Sequence, residues 1–191
     1  MKKGSLIDRN ENIWNVPNLL TMLRMAAVVV FIVLFARGKK NAAMIVFILA
    51  AATDVLDGYI ARRFHLITSF GKLMDPLADK LMTLSALVCL TVTGYVPLWL
   101  LIIEGAKECF MVVGGCIVLR KKKLVVQADY IGKAATVTFI AAIIATFLHD
   151  YTAPWDFVLQ CGAVTLALAA MVFYIIDTVR KVRADEQQEK E

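Results

Sequence analysis

Apolar residues along this chain come in runs of about twenty, separated by short, mostly basic polar segments. Six runs stand out, roughly 18–37, 41–62, 73–94, 97–119, 131–149 and 155–178. As a helix rising 1.5 Å per residue, each run is long enough to cross a hydrocarbon core of ~30 Å. The fifth is the shortest. No domain-sized loop separates any two runs, and no internal repeat is visible. The pattern predicts an all-α integral membrane fold, with six transmembrane helices in one domain over residues 16–182. Residues 1–15 are polar, with Leu6, Ile7, Ile13 and Trp14 scattered among charges. They read as a short interfacial helix with Trp14 at the headgroup level, or as a frayed tail. They contain no apolar core of a cleavable signal peptide. Residues 183–191 are charged and are expected to form a disordered cytoplasmic tail.

Composition agrees with the periodicity. Hydrophobic residues make up 60% of the chain, with a mean hydropathy of +0.70, where a soluble domain has about half. The net charge of +5 comes from basic residues at the ends of apolar runs. It therefore marks topology rather than a nucleic-acid surface. With the N-terminus inside, the inner segments carry Lys2, Lys3, Arg9, Arg62, Arg63, Lys72, Arg120 to Lys123, Arg180, Lys181 and Arg183. The outer loops carry Arg37, Lys39 and Lys40. The positive-inside rule then puts both termini in the cytoplasm. Cys89, Cys109, Cys116 and Cys161 form no CxxC pair and lie in or beside apolar runs, so they read as packing residues.

One stretch breaks the apolar pattern with carboxylates. Asp54 and Asp57 close the second run, and Asp75 and Asp79 open the third. Spacings of three and four stack side chains on one helix face. Two helices joined by a short loop can therefore aim four carboxylates at one point, on the cytoplasmic side. Such a cluster needs compensation, and hard oxygen ligands favour Mg²⁺, Mn²⁺ or Ca²⁺. Pairing with Arg62, Arg63, Lys72 and Lys80 is the simpler alternative, but it leaves the face-matched spacing unexplained. Gly58 and Ala61 share a face and offer either a floor for a base or ribose or a small-residue helix contact. A guanidinium at Arg62 suits phosphate oxygens. Metals, an arginine and a nucleotide-sized floor point together to phosphoryl transfer.

The pattern Asp54-x2-Asp57-Gly58-x2-Ala61-Arg62-x8-Gly71-x3-Asp75-x3-Asp79 resembles the signature of the CDP-alcohol phosphotransferase family. All eight positions are present, and the six-run layout matches over most of the chain. The resemblance implies a two-metal centre of Mg²⁺ or Mn²⁺ on Asp54, Asp57, Asp75 and Asp79. It implies CDP binding by Gly58, Ala61, Arg62 and Gly71, with Asp79 as the catalytic base that takes the acceptor's proton. It also implies a homodimer whose partners are membrane lipids, CDP-diacylglycerol and a polar alcohol, without nucleic acid. Cytoplasm-facing sites and short loops fit a bacterial inner membrane.

Asn15-x-Pro17-Asn18-x2-Thr21-x2-Arg24 resembles the opening of the branch that uses sn-glycerol 3-phosphate, and of the related cardiolipin synthases. On that resemblance Thr21 and Arg24 join the acceptor site. The alternative is a helix cap followed by a snorkelling arginine. The fourth run carries Glu104, Lys107 and Glu108, and ionisable residues at membrane depth mark function by default. Lys107 is a candidate for the acceptor phosphate, or one half of a structural Lys–Glu pair. Lys133, after Gly132, resembles a family Gly-Lys at the acceptor pocket. The chain departs from the branch pattern in having Lys107 in place of an arginine, Gly115 in place of another, and Ala135 in place of a lysine. The expected activity is transfer of a phosphatidyl group from CDP-diacylglycerol to sn-glycerol 3-phosphate, with CMP as co-product. Competing readings are a cardiolipin synthase with phosphatidylglycerol as acceptor, a divalent-cation transporter, and an inactive structural paralogue.

Overall fold

The computed structural model describes residues 15–64, 68–122 and 130–188. Among them every regular element is helical: α1 (Val16–Ala36), α2 (Lys40–Arg63), α3 (Ser69–Val92), α4 (Leu98–Lys122), α5 (Tyr130–Phe147), α6 (His149–Thr152) and α7 (Trp155–Gln188). The six long helices coincide with the six apolar runs to within a few residues at most ends. α1, α2 over Lys40–Ala61 and α7 over Trp155–Arg180 are long and apolar enough to cross a membrane, and Ile131–Phe147 is apolar but shorter. α3 and α4 are interrupted by ionisable residues, Asp75, Asp79 and Lys80 in one and Glu104, Lys107 and Glu108 in the other. The apolar runs thus establish six helices, while three reach spanning length and hydropathy.

The chain divides into two compact units, Met1–Leu90 and Thr91–Glu191. In the first, Arg37 to Lys39 join α1 to α2. Gly38 supplies the turn, with φ +73° and its N–H donating to the Phe35 carbonyl at 2.9 Å; glycine adopts that left-handed backbone without a Cβ clash. Phe31 packs between Phe35 and Phe47, with ring centroids 6.0 and 6.3 Å away. Ala43 and Ala50 are buried, and their small side chains let helix backbones approach closely. α3 buries Ala78, Met82, Ala86 and Leu90, a four-residue repeat along one face.

α1 is inside-out by the standard of a soluble helix. Leu19, Leu23, Val29, Val30, Ile32 and Val33 are exposed, while Asn18, Thr21 and Arg24 are buried. A helix set in hydrocarbon has this distribution, because its polar groups must find partners inside the protein.

In the second unit α5 packs on α7 through Ala135, Phe139, Ala142 and Ile143 on one helix and Ala163, Val164 and Ala167 on the other. The polar end of this seam is hydrogen bonded. Gln160 Nε2 donates to Thr146 Oγ1 at 2.5 Å, and His149 Nδ1 lies 2.6 Å from Asp156 Oδ2. α7 runs on to Gln188, which corrects the expected disorder from Arg183 onward. The segment Lys181–Gln188 holds no Gly or Pro and is rich in Arg, Ala, Glu and Gln, which keep helix propensity high. The interfacial segment expected before Asn15 lies outside the described residues.

Candidate active site

The site is built on the first three turns of α1. Asn15 caps the helix, its side chain accepting from the Asn18 N–H at 2.9 Å, and Pro17 occupies the first turn. Both choices suit a helix start, since a proline there sacrifices no helical hydrogen bond. The cap sets the register in which Asn18, Thr21 and Arg24 turn inward, at 2%, 1% and 2% exposure. Side chains three apart step about 60° round a helix, so each of the three meets a different part of the aspartate motif.

Asn18 meets the start of α3. Thr68 donates its hydroxyl to Asn18 Oδ1 at 3.0 Å and accepts the Gly71 N–H at 3.0 Å. The second bond is that of an N-cap to the third residue of its helix. Thr68 was not among the residues singled out from the sequence. A threonine just before a helical run is a capping signal, but a cap's further bond to a residue 50 positions away leaves no local trace. Gly71 stands in a crowded place. A Cβ there would lie 2.8 Å from Asn18 Oδ1, 3.2 Å from Thr68 Oγ1 and 3.7 Å from Asp75 Oδ2.

Thr21 donates to Asp75 Oδ1 at 2.5 Å. Arg24 donates from Nη1 to Asp54 Oδ1 at 2.5 Å and from Nη2 to Asp57 Oδ2. The Arg24 side chain is 1% exposed, Asp57's is 4% and Asp54's is 41%. One carboxylate of the bridged pair is therefore enclosed and the other opens outward. Arg24 Nε is buried without a hydrogen-bond partner. Asp79 is half-buried one turn beyond Asp75. Three of the four aspartates are thus gathered on one face of α1, through residues the sequence had linked to the acceptor.

The remaining candidates fall as follows. Gly58 and Ala61 are half-buried on α2, three residues apart, whereas the Arg62 side chain lies outside the described residues. In the second unit Lys107 Nζ donates to Glu104 Oε1 at 2.5 Å and to Glu108 Oε1 at 2.9 Å. Glu104 Oε2 is buried without a hydrogen-bond partner. Lys133 is exposed in the first turn of α5.

The oxygens of the four carboxylates are the hard ligands that Mg²⁺ or Mn²⁺ prefers. The contacts from α1 fall on one oxygen each of Asp54, Asp57 and Asp75, so the other oxygen of each lies outside those bonds. Among the described residues no three acidic, histidine or cysteine side chains form a finished metal cage. The donor chemistry fits divalent cations.

The sequence model of the CDP-alcohol phosphatidyltransferases matches residues 14–177. The chain belongs to this family. That match includes the α1 stripe and all four aspartates. A CDP-diacylglycerol–glycerol-3-phosphate 3-phosphatidyltransferase of Bacillus subtilis (strain 168) is 35% identical over 178 residues, covering 85% of this chain and 90% of that protein. A CMP-forming cardiolipin synthase of Streptomyces coelicolor is 34% identical over 190 residues, covering 93% and 88%. A protein of Pseudomonas fluorescens with the same name as the Bacillus relative reaches 51%, over 89 residues and 45% of each chain. Within the CDP-alcohol phosphatidyltransferases, then, the chain has relatives matched over most of their length that are named for two different activities.

Proposed function

We propose that this membrane transferase moves a phosphatidyl group from CDP-diacylglycerol to a hydroxyl of sn-glycerol 3-phosphate, releasing CMP. The observation that carries the proposal is the gathering of Asp54, Asp57 and Asp75 on α1, in a chain holding all eight signature positions. Relatives named for this reaction cover most of the chain or match it at 51% over a shorter stretch. Asp54, Asp57, Asp75 and Asp79 would hold two divalent cations, Mg²⁺ or Mn²⁺, which when bound would neutralise the diphosphate and stabilise departing CMP. Gly58, Ala61 and Arg62 receive the cytidine diphosphate, Arg62 as a fork for phosphate oxygens. Gly71, near the start of α3, completes the set that receives the cytidine diphosphate. Asp79 takes the proton of the attacking hydroxyl. The new bond joins the acceptor oxygen to the phosphorus that carries diacylglycerol, and the bond from that phosphorus to CMP breaks.

Lys107 and Lys133 are the cations of the acceptor side. Six membrane crossings, cytoplasmic termini and a cytoplasm-facing site complete the reading, with a homodimer in a bacterial inner membrane. A second reading, phosphatidylglycerol as acceptor, has its own support. Lys107 is already shared by two glutamates, which suits the doubly charged phosphomonoester of glycerol 3-phosphate less well than a singly charged phosphodiester, and the Streptomyces relative is matched over 93% of this chain.

The test is CMP release from CDP-diacylglycerol by purified protein with Mg²⁺ or Mn²⁺, in parallel with glycerol 3-phosphate, phosphatidylglycerol, inositol phosphate and serine. Release with glycerol 3-phosphate alone is expected. Release with phosphatidylglycerol alone moves the protein to the second reading.

A further inference from the structure

We infer that the buried polar stripe of α1 is an orienting shell for the metal-binding carboxylates, and that Arg24 and Thr21 are positioning residues rather than acceptor-binding ones. The inference rests on the metal reading of the four aspartates given above.

Three observations carry it. First, hydrogen bonds from the stripe reach the aspartate motif, with Thr21 Oγ1 also 3.1 Å from the Pro17 carbonyl. Arg24 spans Asp54 and Asp57, Thr21 holds Asp75, and Asn18 holds the cap that starts α3. Second, burial leaves little of these side chains for a soluble acceptor, since Asn18, Thr21 and Arg24 are at most 2% exposed. Third, the bonds are distributed. Arg24 takes one oxygen from each of two carboxylates and Thr21 takes one oxygen of a third. A donor that holds one oxygen of a carboxylate fixes the direction of the other, as outer-shell partners do in metal sites.

The forked guanidinium matters as well as its charge. Asp54 and Asp57 lie on one helix and Arg24 on another, and the two bonds leave from different nitrogens. A lysine would keep the positive charge but lose the planar fork.

The experiment is Mn²⁺ binding to detergent-purified full-length protein, followed by electron paramagnetic resonance without lipid substrate. Tm in EDTA is measured in parallel. The variants are R24K, R24Q, T21V and T21S. Loss of an outer-shell partner typically weakens metal binding about 10–100-fold. R24K and T21V are expected to weaken Mn²⁺ binding about tenfold or more, while T21S, which keeps the hydroxyl, stays near wild type. T21V preserves shape and charge, so it keeps the test open if the Arg24 variants fail to fold.

Three results would overturn the inference. Unchanged Mn²⁺ affinity with lowered Tm makes the stripe structural only. Tighter binding in R24Q makes Arg24 a competitor for the carboxylates. A raised acceptor KM with unchanged metal affinity returns Thr21 and Arg24 to the acceptor site. A wild-type protein that binds no Mn²⁺ removes the metal reading itself, and the inference with it, a failure distinct from the other three.

Discussion

Among the described residues, buried Arg24 and half-buried Lys107 are each held by two carboxylates, and they are built in opposite ways. Lys107 draws both partners from its own helix, Glu104 one turn before it and Glu108 beside it. Arg24 draws its partners from another helix, 30 and 33 residues along the chain. The first cluster is local, and its spacing shows in the sequence. The second exists only after α1 and α2 have packed, and it ties packing to the chemistry of the motif. Two glutamates share Lys107, while Arg24 is shared by two of the four aspartates of the motif.

The comparison can be broken at either end. The largest expected effect is from Asp79→Asn, which keeps the helix but removes the proposed base. CMP release should fall by orders of magnitude, since general-base catalysis typically contributes about 10²–10⁴-fold. Retained turnover would move the base elsewhere.

Arg24→Ala comes next. It leaves Asp57 enclosed beside Asp54 with no guanidinium, and breaking a buried ion pair from one side typically costs about 3–5 kcal/mol. Chemical denaturation in detergent should show a loss of that order. Adding Asp57→Asn to the same chain should recover part of it, because the stranded charge is then gone.

Lys107→Ala tests the local cluster. If Lys107 serves the acceptor, apparent KM for glycerol 3-phosphate should rise several-fold more than KM for CDP-diacylglycerol. Equal shifts in both would reduce the cluster to a feature of α4. A smaller effect is expected from Gly71→Ala. The added methyl meets Asn18 Oδ1 at 2.8 Å, and overpacking of this kind costs about 1–3 kcal/mol. A lowered Tm with unchanged KM for CDP-diacylglycerol would make Gly71 a packing residue rather than a CDP contact.

Much of this was legible in advance because its signals are local. Runs of apolar residues place the six long helices. The acidic motif stands out because charge is rare in such runs. Asn15 and Pro17 announce the start of α1, and Glu104, Lys107 and Glu108 their own cluster. Other features were hidden for physical reasons. Thr68 looks like any residue before a helix until its hydroxyl is seen on Asn18. α7 continues to Gln188 because its polar tail keeps helix propensity, which a rule based on charge misreads as disorder.

The sequence by itself determined the all-helical architecture, the four aspartates and the family, since periodicity and fixed spacing are properties of neighbouring residues. Only the tertiary structure shows which groups Asn18, Thr21 and Arg24 bond to. Their every-third spacing is equally compatible with facing an acceptor or facing the aspartates. The choice depends on which helix packs against that face, and on the need of a buried guanidinium and hydroxyl for charged partners once water is gone.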